Sequence, residues 1–250
     1  MKQQRNHRIS DWLYHTTFFT RFYGRMAGRF AVEVLWDDFH KNFLSRVPAG
    51  GTILEVGAGP GLLALRILKS RPSMKIIVTD FSPNMLDLAK ANLAKASREN
   101  NEIAAHKAQL EYVQANAMDL SQFVNCKIDG VYSMGAAKHF PDPVVCLNQA
   151  RGVLADRGVM YFVDSCADGK YSGTKEIVAK LNISPITGIF LRPIIHFGLK
   201  RESPSATEVK SWKNGFGCEG ELIVNFSLGG TMFKLIYQEN GPAPTIDDGT

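Results

Sequence analysis

Three glycines stand at alternate positions, Gly57, Gly59 and Gly61, directly after the apolar run TILEV. A strand that leads into a glycine turn and then a helix points backbone N–H groups towards a ligand at the carboxyl edge of a parallel sheet. Glu55 lies just before the turn, and Asp80 ends the next apolar run, KIIVTD. A carboxylate at that distance beyond the glycines can accept hydrogen bonds from both hydroxyls of a ribose.

The residues around this turn also restrict the chemistry of its ligand. A dinucleotide fingerprint, G-x-G-x-x-G/A, needs Gly or Ala where Leu62 stands, and the Gly-Lys-Ser/Thr of a phosphate-binding P-loop is missing. Glu55 is a poor neighbour for a pyrophosphate but a good partner for an ammonium group. We therefore expect a ligand with a ribose and a positive charge and without a phosphate, and S-adenosylmethionine fits that description.

Strand-like and helix-like segments alternate, which predicts a parallel sheet that holds these residues at one edge. Strands are predicted for TILEV, KIIVTD, LEYVQA, IDGVYSM and GVMYFVD. A helix is predicted for LLALRILKS, and two more helices begin at Pro83 and Pro143. Ser82 and Asp142 are the expected caps of these two helices. The second is expected to run to about Leu154, and SRENNEIAAHK is expected to be a polar linker.

The last third of the chain changes this rhythm. Ser205 and Glu208 form a capping box at the start of one more helix. Two strand-length runs, ELIVNFSL and TMFKLIY, are joined by Gly229 and Gly230 and predict a tight hairpin. The sequence thus predicts an α/β fold in which a mostly parallel sheet, with helices on both faces, ends in a C-terminal antiparallel hairpin.

Two unusual segments flank the predicted sheet and indicate the domain organisation. Residues 1–47 are dense in aromatic residues and are expected to be helical and to cover the active site, although their spacing also suits plain packing against the sheet. Residues 48–238 are expected to form the main domain, with an apolar lid insertion over residues 170–204. Two such segments on one rim predict a pocket that excludes water. Residues 239–250 are expected to be a disordered tail.

Five motifs in chain order resemble those of the class I S-adenosylmethionine-dependent methyltransferases: E-V-G-A-G-P-G, VTDFSPNML, VQANAMDL, DGVYSMGAAKHFPDP and GVMYFVDS. They are most similar to the small-molecule branch that includes the ubiquinone and menaquinone C-methyltransferases, and the resemblance covers residues 20–237. It implies a Rossmann-like, seven-stranded, mostly parallel sheet whose last strand is antiparallel. It also implies S-adenosylmethionine as the cofactor and S-adenosylhomocysteine as its product.

The resemblance further implies which residues bind the cofactor. Glu55 would orient the methionine amino group, and Asp80 would accept the ribose hydroxyls. Phe81 and Met85 would enclose the adenine ring, with core packing as the alternative for both. Asn116 stands where the family often has Asp, and its amide can still accept a hydrogen bond from the adenine amino group. The other cofactor-binding positions implied are Tyr23, Gly57, Ala58, Gly59, Gly61, Ala117, Met118 and Met134, with core packing as the alternative for Tyr23.

One histidine is a candidate for the chemical step. Methyl transfer from a sulfonium is an in-line displacement, for which a protein mainly supplies positioning and a dry site. A base is needed only when the acceptor must lose a proton, as a hydroxyl or an enolisable carbon does. His139, just past the fourth strand, is the candidate base because imidazole titrates near neutrality, with a local structural role as the alternative. Lys138 and Asp142 are expected to be a surface charge and a helix cap.

The loop after the fourth strand also concerns the acceptor. It reads Ser133-Met134-Gly135-Ala136 and lacks the N/D-P-P-Y pattern of methyltransferases that act on nucleobase or glutamine amino groups. The apolar segments favour a hydrophobic or aromatic small-molecule acceptor that is methylated on carbon or oxygen. Two alternatives remain: an RNA or protein methyltransferase, and a non-methylating cofactor-binding protein on the same fold.

Composition and charge limit the partners of the chain. It has 250 residues, a net charge of +5 and an isoelectric point near 9.0. So mild an excess is typical of a solvated surface, and nucleic acid is not the expected partner, while a basic N-terminal arm leaves a peripheral membrane contact open. The four cysteines and six histidines are scattered, so no metal is implied. We expect a soluble cytoplasmic protein, and the sequence does not predict its oligomeric state.

Overall fold

The computed structural model describes residues 33–181, 184–217 and 221–239, and these contain one seven-stranded sheet. The strands are β1 Thr52–Val56, β2 Lys75–Asp80, β3 Leu110–Gln114, β4 Ile128–Met134, β5 Leu154–Ser165, β6 Ile223–Ser227 and β7 Met232–Gln238. They lie in the order β3-β2-β1-β4-β5-β7-β6. Neighbours from β3 to β5 are parallel, whereas β7 is antiparallel to both β5 and β6. The predicted fold class is therefore confirmed.

Helices connect the strands and cover both faces of the sheet. The α-helices of the described residues are α1 Trp36–Asn42, α2 Leu62–Ser70, α3 Pro83–Glu99, α4 Asn101–His106, α5 Pro143–Gly152, α6 Gly173–Lys180, α7 Pro185–Glu202 and α8 Ala206–Ser211. Short 3₁₀ turns lie at Leu44–Arg46, Lys107–Gln109, Ser121–Phe123, Ala137–His139 and Trp212–Gly215. Within the described part of the chain, no helix is both long enough and apolar enough to cross a bilayer.

The strand order reverses between β1 and β4. The chain proceeds outward from β1 to β2 and β3 on one side of this point, and from β4 to β5 on the other. Open α/β sheets bind ligands in the crevice beyond the carboxyl ends of two such strands. The glycine turn at residues 57–61 follows β1, and the loop at residues 135–142 follows β4. The sheet therefore brings both segments to one crevice.

Alternate residues of the central strands supply two hydrophobic layers, one on each face. Leu54 and Val131 belong to the layer that α5 covers, with Leu147 of that helix. Ile53 and its neighbours on the opposite face belong to the layer that α1 and α2 cover, with Ile67 of α2. The site at the edge of the sheet is thus held by strands that are packed on both faces.

One predicted linker is helical in the structure. The segment SRENNEIAAHK contains the end of α3 and the whole of α4. Asn100 lies between them and caps α4, because its side chain accepts hydrogen bonds from the N–H groups of Glu102 and Ile103. Ile103 is buried and ties the short helix to the core. The linker prediction was wrong because it weighed the polarity of the run and overlooked this cap.

Other helix starts agree with the sequence. The Asp142 side chain accepts hydrogen bonds from the first N–H groups of α5, and the Ser205 hydroxyl accepts one from the N–H of Glu208 in α8. Ser82 precedes α3 as predicted, but its side chain makes no capping bond. Helix α5 ends at Gly152, two residues earlier than predicted, because β5 already begins at Leu154.

The C-terminal hairpin is confirmed, although its loop is longer than two residues. Ser227 pairs with Met232, which leaves four residues between the strands. Leu228 as well as Gly229 and Gly230 has a positive φ, of 52°, 63° and 80° respectively. The two glycines are needed because L side chains rarely adopt this region of φ.

The described part of the N-terminal segment packs against the sheet. Phe39 and Phe43 of this part stack on each other and contact Tyr132 and Tyr161. Asp38 accepts a hydrogen bond from the Tyr161 hydroxyl at 2.5 Å and pairs with the buried Nζ of a β7 lysine at 2.6 Å. Residues 1–32 and 240–250, with the predicted site residue Tyr23, the basic arm and the predicted tail, lie outside the described residues. The predicted lid insertion forms α6 and α7.

Candidate functional site

The glycine turn after β1 holds three residues in the left-handed region of φ. Gly57, Gly59 and Gly61 have φ values of 74°, 54° and 68°. A Cβ atom at Gly57 would lie 2.5 Å from the Cβ of Ala136, and one at Gly61 would lie 2.8 Å from the Cβ of Ala89. A Cβ atom at Gly59 would meet no atom of the protein within 4 Å. Two of the glycines thus permit close packing, whereas Gly59 faces open space at the crevice.

The turn is fastened to the end of β2. The N–H groups of Gly57 and Ala58 both donate to the carbonyl of Thr79, at 3.0 and 2.8 Å. The Thr79 hydroxyl in turn donates to the carbonyl of Glu55 at 2.6 Å. The N–H of Gly59 donates to Oδ2 of Asp80 at 2.8 Å. These hydrogen bonds within the protein fix the shape of the turn's backbone.

Asp80 lies where the sequence predicted, at the end of β2 and beside the turn. Its Oδ1 accepts a hydrogen bond from the N–H of Ser82 at 2.9 Å, so each oxygen already has one partner. An ionised carboxylate has about four acceptor positions, which leaves room for ribose hydroxyls. Burial raises the pKa of this carboxyl, while the backbone donors act in the opposite direction.

Phe81 and Met85 differ in the exposure of their side chains, which the sequence did not predict. The Phe81 side chain is 70% exposed, which is unusual for a large aromatic residue and suits a stacking surface for a flat ligand. Its carbonyl accepts a hydrogen bond from the Gln114 side chain at 3.0 Å, which joins it to the end of β3. Met85 is buried, so its side chain is packed in the protein. Simple core packing therefore does not describe Phe81, whereas for Met85 both the adenine contact and core packing stay predictions.

Glu55 is a buried carboxyl with an oxygen that lacks a partner among the described residues. Its Oε2 makes no hydrogen bond, and neither do the buried hydroxyls of Tyr112 and Tyr132. Burial raises the Glu55 pKa to about 8. The Tyr132 hydroxyl lies near enough to lower the pKa in part, though outside ordinary hydrogen-bond geometry, and the charge of Asp80 raises it further. A bound ammonium group would donate a hydrogen bond to the unpartnered Oε2 of Glu55.

The segment after β3 forms a compact turn beside Phe81. The Asn116 side chain is exposed, and its Oδ1 accepts a hydrogen bond from the N–H of Met118 at 3.0 Å. The N–H of Asp119 donates to the Asn116 carbonyl at 2.9 Å. Ala117 and Met118 are half-buried and pack against the core. One lone pair of the Asn116 amide thus stays open to a ligand, as the predicted contact with adenine requires.

The loop after β4 contains a residue that the sequence analysis missed. Gly135 has φ 75°, and a Cβ atom there would meet no atom of the protein within 4 Å. It shares both properties with Gly59, across the point where the strand order reverses. Ala136 and Phe140 of the same loop are the nearest neighbours of Gly57. A glycine directly after a strand was a visible signal, but a lone glycine has too many other uses to decide the matter.

His139 lies in this loop, half-buried in the 3₁₀ turn Ala137–His139, and its N–H donates to the Ala136 carbonyl at 2.9 Å. Met134, at the end of β4, is half-buried. Lys138 is not a surface charge, as predicted, because its side chain is only 10% exposed. Its Nζ and backbone N–H bind the two oxygens of Asp164 at 3.2 and 2.9 Å. This buried ion pair fixes the loop that carries His139.

A short polar chain continues from this ion pair. Asp164 also accepts hydrogen bonds from the N–H and hydroxyl of Ser165, and the Ser203 hydroxyl donates to the Ser165 hydroxyl at 2.6 Å. Ser203 follows α7 directly, so the loop after β4, the end of β5 and the base of the lid insertion are joined. Among the described residues no group of three or more His, Cys, Asp or Glu side chains could hold a metal ion.

Comparisons with known proteins find related methyltransferases. Residues 54–162 match a family described as a methyltransferase domain. The chain is 35% identical over 86 residues to the mitochondrial 2-methoxy-6-polyprenyl-1,4-benzoquinol methylase of Caenorhabditis elegans, covering 34% of this chain and 28% of that protein. It is 26% identical over 186 residues to the demethylmenaquinone methyltransferase of Lactococcus lactis subsp. lactis, covering 72% of this chain and 69% of that protein.

A solved structure shares the fold. The plantazolicin methyltransferase BamL, in complex with a triazolic desmethylPZN analog and SAH, superposes with a TM-score of 0.61 at 14% identity. The superposition covers 92% of this chain and 93% of that one. Similarity at such low identity establishes the fold alone. The chain spans less than a third of the nematode relative's length, so that relative is informative about the core of the domain.

Proposed function

Because the chain belongs to the class I S-adenosylmethionine-dependent methyltransferases, we propose that it methylates a hydrophobic or aromatic small molecule on carbon or oxygen. One observation carries the proposal. Two glycines with open space at the Cβ position, Gly59 and Gly135, face the crevice from opposite sides of the reversal in strand order. The carboxylates expected to bind a ribose and an ammonium group lie beside one of them.

The residues of the site suit the cofactor. Asp80 keeps free acceptor positions for the ribose hydroxyls, and the unpartnered Oε2 of Glu55 suits the methionine ammonium group. The exposed ring of Phe81 suits the adenine, with Asn116 at its edge. When bound, S-adenosylmethionine supplies a methyl group on a positively charged sulfur. The glycine turn would approach the methionyl and ribose groups closely, since no side chain occupies that space.

The protein itself would position the two ligands, exclude water from them and, where the acceptor must lose a proton, provide a base. The fixed turn and the ion pair of Lys138 with Asp164 hold both sides of the crevice in place before a ligand arrives. Insertion helices α6 and α7, joined to the loop after β4 through Ser203, would cover the acceptor and exclude water. His139 would accept a proton from an acceptor hydroxyl or acidic carbon.

Three features support a small apolar acceptor. Both curated relatives described above are named as methylases of quinone-type molecules. The lid insertion is rich in apolar residues, and the loop after β4 lacks the N/D-P-P-Y pattern of amino methyltransferases. A hydrophobic ring system fits each of these features.

The proposal is tested by turnover. The purified protein is incubated with S-adenosylmethionine that carries an isotopically labelled methyl group, together with reduced quinones, phenols, RNA or a mixed protein extract. We expect the wild type to form S-adenosylhomocysteine and a labelled product when the acceptor is a quinol or phenol. With the same acceptor, the Asp80→Ala variant should form neither. Label that enters only RNA or protein would contradict the acceptor class. Cofactor binding without transfer to any acceptor would contradict the activity.

A further inference from the structure

Helix α7 presents four large apolar side chains to the outside of the protein. Ile186, Ile189, Phe190 and Phe197 are between 67% and 71% exposed. Ile189 and Phe190 follow Ile186 by three and four residues, and Phe197 follows Phe190 by seven. This spacing places all four on one face of the helix, because an α-helix has 3.6 residues per turn. We call this face the outer stripe. Soluble surfaces seldom group so many large apolar side chains, and such a group marks an interaction surface.

The opposite face of α7 already has its partner. Gly188 is buried there, and a Cβ atom on it would lie 2.7 Å from Cγ1 of Val178 in α6. The His196 ring packs edge-on against Tyr171 at 5.2 Å, and the Arg192 guanidinium lies over the same ring at 4.5 Å. The helix is thus fixed by one face and is apolar on the other. A large apolar helix face that no other part of the described protein covers marks an interaction surface.

The charges near the outer stripe indicate what covers it. Between Glu176 and Glu202, which are both exposed, the sequence contains no Asp or Glu. Lys200 and Arg201 follow Phe197 by three and four residues, so they extend the outer stripe at its C-terminal end, and both are exposed. Lys180 at the end of α6 is exposed as well. Long basic side chains beside an apolar helix face are typical of helices that lie in the interface of an anionic membrane.

We propose that the outer stripe of α7 docks on an anionic lipid surface, with Phe190 and Phe197 among the acyl chains and Lys200 and Arg201 at the headgroups. A lipid surface suits the stripe better than a second copy of the chain does. In a symmetric pair the basic ends would face a segment that has no acidic residue to match them. This inference goes beyond the proposed function and does not depend on it, because docking is measured without turnover.

Vesicle sedimentation tests the proposal on the full chain. We expect the wild type to bind vesicles of phosphatidylcholine with phosphatidylglycerol and to bind pure phosphatidylcholine weakly. The double variant Phe190→Ser/Phe197→Ser should lower the affinity by about tenfold or more, because it removes the inserted apolar area. Lys200→Gln/Arg201→Gln should abolish the preference for the anionic lipid and its sensitivity to salt. The matched control Val124→Ser, at a side chain that is 58% exposed elsewhere, should bind as the wild type does.

Thermal unfolding by circular dichroism checks that each variant is folded, and light scattering reports its mass. Undiminished vesicle binding by Phe190→Ser/Phe197→Ser would overturn the proposal, since another part of the chain would then hold the membrane. Failure of the wild type to bind either vesicle would overturn it too. So would a wild-type dimer that the double variant converts to a monomer, because the stripe would then serve a second copy.

Discussion

The Oδ2 atom of Asp80 accepts a hydrogen bond from the N–H of Gly59 at 2.8 Å, which joins the end of β2 to the turn after β1. The same carboxylate holds Ser82 at the start of α3 through its other oxygen. One side chain thus shapes the turn and also faces the space where a ribose is expected. Since the backbone donors are already in place, little rearrangement is needed when a ligand binds.

Asp80→Asn should weaken binding of S-adenosylmethionine by at least about tenfold, because hydrogen bonds to a charged group contribute more than those to a neutral one. Isothermal titration calorimetry measures this directly. Asp87→Asn is the matched control, since Asp87 is an exposed carboxylate near the start of α3 whose ion-pair partner is also exposed. Equal affinities of the two variants would contradict the role of Asp80.

Gly59→Ala and Gly61→Ala should separate binding from packing. Both require a left-handed φ, which costs an L residue about 1–2 kcal/mol. Only Gly61→Ala adds a Cβ atom against the buried Ala89, so urea titration should show the larger loss of unfolding free energy there. Gly59→Ala should lose only about 1–2 kcal/mol, the cost of the left-handed φ, and should bind S-adenosylmethionine poorly. Wild-type affinity in Gly59→Ala would contradict a ligand at this point.

The buried Glu55 carboxyl should make unfolding free energy fall as pH rises. Its pKa is about 8 in the folded protein against 4.5 for an ordinary glutamate. Below pH 4.5 both states are protonated. Between 4.5 and about 8 the unfolded state releases the proton while the folded state retains it, so stability decreases across this window and then levels off. Glu55→Gln should reduce this fall in unfolding free energy between pH 4.5 and about 8, by the order of a few kcal/mol.

Urea titrations across this pH range measure the slope for the wild type and for Glu55→Gln. Asp80 also has a raised pKa, so part of the slope should remain in the variant. Calorimetry in buffers of different ionisation enthalpy gives a second readout. Near neutrality the wild type should release a proton when S-adenosylmethionine binds, because an ammonium group favours ionised Glu55, and Glu55→Gln should not. Identical slopes and identical proton release in both proteins would count against this account.

The buried ion pair of Lys138 and Asp164 should show strong coupling. Lys138→Met and Asp164→Asn each remove one member of this buried pair, at a cost of about 3–5 kcal/mol. The double variant leaves neither charge, so its loss of unfolding free energy should be well below the sum of the two single losses. Urea titration of all four proteins completes the cycle. Additive losses would mean that the pair does not interact.

His139→Gln should lower kcat by about a hundredfold or more for an acceptor that must lose a proton, and should leave the affinity for S-adenosylmethionine unchanged. The measurement needs an acceptor from the turnover experiment and compares acceptors that differ in acidity. A more acidic phenol should depend less on the histidine. A uniform loss across all acceptors would indicate that His139 only supports the loop after β4.

The fold followed from local patterns because the strands are apolar runs with clear boundaries. Ser205 and Asp142 cap their helices as their residue types predict. The segment that contains Asn100 was misjudged because a cap inside a polar run looks like a linker. The resemblance implied an antiparallel last strand, but the position of β7 between β5 and β6 was not predicted, since no local pattern states which strands become neighbours.

The position of a site residue could be predicted where a single sequence motif determines it. Asp80 and the glycine turn lie as expected because sequence spacing sets their positions at adjacent strand ends. Lys138 was misjudged because its partner, Asp164, lies on the following strand. Such a pairing arises only when the sheet forms, and the single residues look like ordinary surface charges. Gly135 was overlooked for the same reason. Its proposed place in the site depends on its position across the strand-order reversal from Gly59, which the sequence alone does not show.

The position of β7 determines when the strands can pair as the chain is synthesised. Strand β6 leaves the ribosome before β7, yet in the finished sheet it pairs with β7 and has no bond to β5. The edge of β5 therefore remains open until residues 232–238 emerge, and β6 has no strand to pair with before then. Non-local pairing of this kind slows folding and exposes strand edges that invite aggregation. A nascent chain stalled before residue 232 would therefore expose the edge of β5 that β7 covers in the finished sheet.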